Sequence, residues 1–478
     1  MLVIVAPVTS SRLAALLAGA WTALAACASY GTIAFSGGGR IGVLPLDAVH
    51  LALALLAALL VVFAGWKDDR GVRVAVAVTP LVFVLLPWLP SPVPAVFLAW
   101  TGALASLVWI AVALAVAAVA LKDFTFYMPS RPVPLHAGGA AFVIFAAAAW
   151  LALPSIPGGD EPHYLIITQS LLYDGDLKIE NNHARGDYHA YFAGDLQPHS
   201  VRLGRNGAVY SIHAPGLPAL VLPAFAIGGY HAVVLFLILV ASAAAALAWW
   251  LAWRTTGSLQ GAWFGWAVVV CSAPLLLESF TVFPDGPGAA LVLTGFWALL
   301  RAEREAAAAE QADHAQPSAQ HAEDARRSWM PWLWHGAALA ALPWMHTRFA
   351  VLAATLGGLV LVRLAKTSNP FGKAAAFLAI PTVSALGWLM FFVVVYGTPD
   401  PSAPYGNDVG SSFMFFPNGA GGLFFDQGFG VFATAPVLAV AFAGFLRTRR
   451  LGIEWLVVAV PYLLATATYP MWWAGMSG

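Results

Sequence analysis

The chain has 478 residues, of which 60% are apolar and 10% are charged, whereas charged residues make up about 25% of an ordinary soluble domain. Its 23 basic and 23 acidic side chains cancel, so it lacks the basic surplus that a nucleic-acid binder uses to displace counterions. This composition excludes a soluble enzyme, a disordered chain and a nucleic-acid binder, and it is typical of a multi-span membrane protein.

Apolar runs recur along the whole chain, and a helix needs about 20 mostly apolar residues to cross the hydrocarbon core. In the longest run, we expect Gly228 and Gly229 to separate a short surface helix from the spanning helix. The sequence therefore predicts an all-α polytopic membrane protein. About thirteen spans are expected, near 13–35, 47–65, 74–90, 94–121, 139–157, 217–253, 258–277, 285–300, 331–346, 349–364, 374–396, 423–446 and 453–469.

Basic residues predict the orientation, because cytoplasmic loops carry an excess of Lys and Arg. With a cytoplasmic N-terminus and thirteen alternating spans, 17 of the 23 basic residues fall inside and 6 fall outside. The carboxylates of Asp160, Glu161, Glu278 and Asp285 then fall on the outer side, where they are expected to cluster with histidines near the membrane.

Two polar segments interrupt the spans. Residues 301–328 are charged and Ala-rich, and we interpret them as a cytoplasmic solvated helix or linker without chemistry, including His314 and His321. Residues 158–215 form the first large outer loop. The pattern from Leu165 to Leu172 predicts an amphipathic surface helix, and Asn206-Gly207 predicts the turn of a short β-hairpin. A structureless loop of this length is unusual, so we expect an ordered cap over a membrane cavity.

The pair Asp160-Glu161 lies where a span is expected to end. A carboxylate at the membrane edge is costly unless it is hydrated, paired or used. Asp160 is either the N-cap of a helix that starts at Glu161-Pro162 or a general base that takes a proton from an acceptor hydroxyl. The two roles are compatible.

Other candidate residues lie at predicted outer turns. Glu278 and Asp285 form either a solvated turn or a second acidic group facing the same cavity. Arg348, close to His346, either contacts a phosphate through its guanidinium or reaches the lipid headgroups. Further candidates are His163, His199 and His213 as substrate contacts or metal ligands, and the ambiguous Asp400, Asp408 and Asp426.

No close-spaced motif links the three histidines, so the sequence assigns no metal and leaves a divalent ion open as a cofactor. It also contains no Walker loop, no His-Glu-x-x-His motif and no Gly-x-Ser-x-Gly elbow. ATP is therefore not expected to be the direct energy source.

A span followed by Asp-Glu-x-x-Tyr (Asp160, Glu161, Tyr164) resembles the GT-C superfamily of membrane glycosyltransferases. The resemblance is closest to the branch of protein O-mannosyltransferases and the lipid A aminoarabinose transferase. It covers roughly 139–478 and leaves 1–138 as four extra N-terminal spans. The segments that carry the resemblance are His213–Pro218, the turn from Glu278 to Asp285, 421–445 and Trp472-Trp473. Family members usually continue beyond the last of these segments.

The resemblance implies a polyprenyl-phosphate sugar donor and a glycan, lipid or protein acceptor on the outer face of a multi-pass plasma membrane, the inner membrane of a bacterium. It assigns the catalytic carboxylate to Asp160, with Glu161 as a neighbour that tunes charge or touches the acceptor. Arg348 as the phosphate contact is our own placement. Substrate-binding candidates are His163, Tyr164, His213, Glu278, Asp285, His346 and Arg348.

Two other classes of protein fit the composition. A transporter or flippase of a lipid-linked or polar solute predicts charges near the bilayer midplane and often an internal repeat, and the sequence shows few such charges and no clear repeat. A non-catalytic scaffold or a lipid-linked polymer ligase is the other alternative.

Overall fold

A computed structural model describes residues 10–36, 39–45, 47–67, 69–89, 103–121, 133–152, 157–312, 329–406, 410–426, 429–441, 444 and 449–472. The described chain is mostly helical and forms two compact units. The first comprises residues 1–128 and 424–440, and the second comprises residues 129–423 and 441–478.

The first unit contains α1 (Ser10–Tyr30), β1 (Thr32–Ser36), β2 (Gly39–Val43), α2 (Ala48–Gly65), α3 (Arg70–Trp88) and α4 (Ala103–Ala120). The strands pair antiparallel, with Thr32 opposite Val43. Small side chains such as Ala18, Ala25 and Ala64 are buried between the helices, which lets the helix backbones approach closely.

In the second unit, α5 (Pro134–Ala152) leads into the loop that carries α6 (Glu161–Gln169) and α7 (Glu180–Arg185). Trp249, Trp332, Phe145, Phe280 and Phe377 are among its largest fully buried side chains. The later helices are α8 (Gly216–Thr256), α9 (Leu259–Val270), α10 (Ala273–Glu278), α11 (Asp285–Ala312), α12 (Met330–Met345), α13 (Phe349–Leu364), α14 (Pro370–Tyr396), α15 (Phe416–Phe425) and α17 (Arg449–Ala467), while the one-turn α16 (Val431–Thr434) belongs to the first unit.

Six described helices are long and apolar enough to span a membrane. They are α1, α2, α3, α5, α8 and α14. Helices also occupy most of the other predicted spans, but the four further apolar helices are only 10–17 residues long. The count of thirteen therefore stays a prediction.

The α8 backbone breaks where the two glycines predict it. Gly228 (φ −152°, ψ 24°) and Gly229 (φ 61°, ψ −149°) leave the helical region, and the positive φ of Gly229 is readily adopted only without a side chain. The first span was predicted to reach residue 35, but α1 ends at Tyr30 and the chain enters β1. This hairpin was not predicted.

Three other predictions about local structure are wrong. Residues 201–212 form the Asn206-Gly207 turn without strands, because Arg205 N–H donates to the Val395 carbonyl and Ile212 N–H to the His199 carbonyl. The loop helix α6 is a helix, but it is buried rather than amphipathic and exposed. The span at 423–446 is interrupted among its described residues, because the helical path must stop before Pro436.

Ion pairs gather at one end of the second unit. Lys373 Nζ lies 2.8 Å from Glu305, and Arg363 pairs with Glu303 at 3.3 Å and with Glu454. The first part of the predicted 301–328 linker is therefore helix with paired charges rather than a solvated segment. His314 and His321 lie outside the described residues.

The contact between α12 and α14 provides a test of packing. A Cβ on Gly336 would lie 2.1 Å from the Phe377 carbonyl oxygen, whereas a Cβ on Gly358 would meet nothing within 4 Å. We expect Gly336→Ala to lower the stability of the purified protein in detergent by about 1–3 kcal/mol through overpacking. Gly358→Ala, the control in a helix interior, should be neutral or gain up to about 1 kcal/mol. Equal melting temperatures for the two variants would contradict the close approach.

Candidate active site

Asp160 occupies the N-cap position of α6, and Pro162 lies in the first turn of that helix. Its side chain makes no capping hydrogen bond, so the capping alternative is wrong for the side chain. Instead, Asp160 Oδ1 lies 3.6 Å from His199 Nδ1 and 3.8 Å from His213 Nε2. The two histidine nitrogens are 3.1 Å apart. A carboxylate and two imidazoles thus meet at one point, which we call the Asp–His cluster (Asp160, His199, His213).

The loop backbone holds this cluster together. Ile212 N–H donates to the His199 carbonyl at 3.0 Å and places His213 beside His199. His163 lies almost one turn beyond Asp160, and its backbone N–H donates a hydrogen bond to the Asp160 carbonyl at 3.0 Å. Its ring stacks on His213 with 5.8 Å between centroids and lies 5.0 Å from the His199 ring.

Burial and charge set the protonation of these groups. Burial opposes ionisation of Asp160, but His199, His213 and His163 outweigh it, and the pKa of the carboxyl lies below its ordinary value. Burial lowers the pKa of His213 to about 3 and that of His163 to about 4. At neutral pH the Asp160 carboxylate is therefore ionised and both of these imidazoles are neutral, so each has a nitrogen lone pair.

Glu161 has a different role from Asp160. Its side chain is buried, with Oε1 accepting a hydrogen bond from Val282 N–H at 2.7 Å and Oε2 accepting one from Gly158 N–H at 2.8 Å. Burial raises the pKa of Glu161, although the two bonds oppose this. The contacts make Glu161 a positioning residue that joins the loop before Asp160 to the turn after α10.

A second charged group lies at this turn. Arg348 Nη2 pairs with Asp285 Oδ1 at 2.8 Å. The backbone N–H of Arg348 donates a hydrogen bond to His346 Nδ1 at 3.2 Å. Glu278 Oε2 is buried without a hydrogen-bond partner among the described residues, and burial together with Asp285 raises the pKa of Glu278 to about 8.

Tyr164 connects the two groups. Its ring lies 4.5 Å from the His213 ring and is almost fully buried. Burial, Asp285 and Asp160 raise the pKa of the phenol, and Arg348 opposes this. The Asp–His cluster therefore contacts this tyrosine through His213, and the Asp285–Arg348 pair is near enough to influence its pKa.

A cavity opens next to His213. It lies between the loop and the end of α14, and its wall is mostly apolar and aromatic. A polar group bound at His213 would therefore have an apolar surface beside it. The lining residues are Ile167, Leu177, Tyr210, Ser211, Ile212, His213, Ala214, Pro215, Thr347, Trp388, Phe391, Phe392, Tyr396 and Pro404.

Sequence reasoning missed several of these features. It listed His199 only as a candidate, and nothing in the spacing links it to Asp160. The aromatic wall carries a readable signal, since Trp388, Phe391, Phe392 and Tyr396 recur at three- and four-residue intervals near the end of a span.

The structure does not place the remaining carboxylate candidates in the site. Asp400 accepts a hydrogen bond from Ser402 N–H at 2.9 Å in its own exposed turn. Asp426 belongs to the first unit, and Asp408 lies outside the described residues.

The buried Glu278 predicts a pH-dependent stability. Its pKa rises from an ordinary 4.5 to about 8 on folding, so the folded state keeps a proton that the unfolded state releases. The stabilisation is complete below about pH 4.5 and is lost as the pH rises to about 8. As the pH rises from 5 to 8.5, we expect the melting temperature of the wild type to fall relative to that of Glu278→Gln. The difference between the variant and the wild type should therefore increase over this range. Glu310→Gln, an exposed control, should show a constant difference, and a constant difference for Glu278→Gln would contradict the assignment.

Comparisons of the chain with family models, with curated proteins and with solved structures found no match. The function must therefore be argued from the side chains of the site. These are an ionised carboxylate with two histidines, an arginine–carboxylate pair beyond Tyr164, and an apolar cavity that adjoins His213.

Proposed function

We propose that the protein is a GT-C-type membrane glycosyltransferase, which transfers a sugar from a polyprenyl-phosphate donor to an acceptor on the outer side of the membrane with inversion. The observation that carries this proposal is the position of Asp160. Its ionised carboxylate lies beyond the end of an apolar helix, α5, and close to an apolar cavity.

Asp160 has the properties of a general base. Its pKa lies below the ordinary value, so at neutral pH the carboxylate is ionised, which is the state in which it can accept the proton of an acceptor hydroxyl. About a third of its side chain is exposed, which leaves it accessible to an acceptor. Inverting transfer requires one such base, because a lipid phosphate leaves without a strong acid.

Arg348 supplies positive charge for the leaving phosphate. It is paired with Asp285 and partly exposed, and a guanidinium can hold a carboxylate and a phosphate oxygen through separate N–H groups. Arg348 and Asp160 both influence the pKa of Tyr164 electrostatically, so a sugar next to this tyrosine would be near the base and the positive charge.

The aromatic wall of the cavity is suited to contact with the lipid part of the donor. Trp388, Phe391, Phe392 and His213 all line the cavity, so an isoprenoid segment at this wall would bring its phosphate near the polar groups. We place this end of the helices on the outer face, with the ion pairs of Lys373 and Arg363 on the cytoplasmic face.

A transporter is less well supported. Each Lys or Arg in the six described candidate spans lies within four residues of a span end, and these spans contain no Asp or Glu. Transporters usually carry such charges near the bilayer midplane. The described spans thus favour chemistry at one end of the helices.

Asp160→Asn tests the general base. Purified protein would be incubated with polyprenyl-phosphate-linked hexoses and pentoses and a cell-envelope extract, and release of polyprenyl phosphate would be followed by mass spectrometry. We expect turnover to fall by roughly 10²- to 10⁴-fold, the usual contribution of a general base. Asp195→Asn, an exposed residue of the same loop, is the control. Undiminished transfer by Asp160→Asn would refute the assignment, and movement of solute without a covalent product would indicate a transporter.

Trp388→Ala tests the lipid contact. Removal of this ring should raise the KM for the donor about tenfold, the loss expected from about 1.4 kcal/mol of apolar contact. The kcat should change little, because the ring is remote from the reacting atoms. Trp334→Ala is the matched control, since that ring is exposed and does not line the cavity. Equal KM values for both variants would show that the donor does not use this wall.

A further inference from the structure

We propose that the Asp–His cluster binds a divalent transition-metal ion, with Zn²⁺ as the best match. Asp160 Oδ1, His199 Nδ1 and His213 Nε2 would be its ligands, and a fourth position would remain open for water or substrate. The proposal concerns binding alone, so it does not depend on the proposed sugar transfer.

The geometry of the three atoms carries the proposal. Their separations are 3.1, 3.6 and 3.8 Å, and no other His, Cys, Asp or Glu group with three such ligand atoms was found among the described residues. A triangle with these sides has its centre about 2.0 Å from each corner, which is the length of a Zn–N or Zn–O bond. An ion at or slightly above this centre would lie at bonding distance from all three atoms.

The donor set selects the type of ion. Two imidazole nitrogens and one carboxylate oxygen suit Zn²⁺ and its first-row neighbours, whereas Mg²⁺ and Ca²⁺ prefer oxygen ligands. Ligands at 90° around an octahedral ion would lie about 3.0 Å apart at bond lengths of about 2.1 Å. Two of the three separations are wider than this, which favours the tetrahedral arrangement of Zn²⁺.

Access and surroundings are also suitable. The side chains of His199 and Asp160 are 40% and 35% exposed, while that of His213 is 7% exposed. An ion could therefore enter from the loop surface and bind to the buried His213. The neighbouring His163 has a buried Nδ1 with no hydrogen-bond partner among the described residues. Three protein ligands with an open position are the pattern of catalytic rather than structural zinc sites.

A hydrogen bond between His199 and His213 is the alternative explanation of their 3.1 Å contact. In that arrangement one of the two nitrogens carries a proton, and metal binding would release it. The two explanations therefore differ in metal stoichiometry and in proton release, and both can be measured on the full-length protein.

The experiment uses purified full-length protein in detergent, stripped with a chelator and titrated with Zn²⁺ or with Co²⁺ as a visible probe. We expect about one equivalent to bind, with the strong visible bands of tetrahedral Co²⁺ and a higher melting temperature that chelator reverses. His199→Ala and His213→Ala should each weaken binding by at least about tenfold, since even indirect supports of a metal ligand contribute that much. His189→Ala, an exposed histidine of the same loop, should bind as the wild type does.

A ligand exchange keeps the proposal testable where an alanine variant fails to fold. His199→Cys should retain one equivalent of Co²⁺ and gain a near-ultraviolet thiolate-to-cobalt band, which the wild type lacks. Binding that is unchanged in the His199→Ala/His213→Ala double variant, or a wild-type protein that binds no ion, would overturn the proposal. Because no readout uses sugar transfer, inactive protein that binds the ion would refute the proposed function and leave the metal site standing.

Discussion

The site depends on one buried carboxylate that joins two distant parts of the chain through hydrogen bonds. Glu161 is 1% exposed and accepts hydrogen bonds from Gly158 N–H and Val282 N–H, which are 124 residues apart in the chain. Burying an unpaired charge costs several kcal/mol, so this carboxylate is stable only while both loops stay in place. The same constraint holds Asp160 in its position beside the histidines and sets the turn that carries Glu278 and Asp285.

Charge is distributed unequally between the two ends of the second unit. One end holds paired charges, in which Lys373 and Arg363 meet carboxylates. The other end also holds an ion pair, Asp285 with Arg348, but in addition it holds Asp160 beside imidazoles and Glu278 with a buried oxygen that lacks a hydrogen bond among the described residues. Groups with perturbed pKa values and incomplete pairing tend to occur at functional sites. This contrast supports placing the chemistry at the Asp160 end.

Local signals predicted part of this structure well. The apolar runs, the Gly228-Gly229 break and the start of α6 at Glu161 all follow from short-range rules about hydropathy, glycine and proline. The β-hairpin predicted at Asn206-Gly207 failed because its flanks hydrogen-bond to Val395 and His199, which are partners that turn chemistry cannot reveal. The burial of α6 was missed for a similar reason, since it is the fold of the loop around it that covers the helix.

The members of the candidate site were named from the sequence, but their arrangement was not predicted. Asp160, Glu278, Asp285 and Arg348 were named from their positions at span ends, and Tyr164 from the Asp-Glu-x-x-Tyr resemblance. The cluster with His199 depends on how 39 residues of loop return to Asp160, and no periodicity encodes that path. The role of Glu161 next to Asp160 stays a prediction, but its two backbone hydrogen bonds, which give it a positioning task, could not be predicted from the sequence.

We propose that the Asp160 end faces the outer side of the membrane. A lipid-phosphate sugar donor is expected on that side, whereas a nucleotide sugar is not. Cysteine labelling tests this placement most directly, in right-side-out vesicles containing a Cys27→Ser/Cys271→Ser chain. A membrane-impermeant maleimide should label Asn206→Cys in sealed vesicles and Glu310→Cys only after they are opened. The opposite pattern would place Asp160 in the cytoplasmic half and contradict the account.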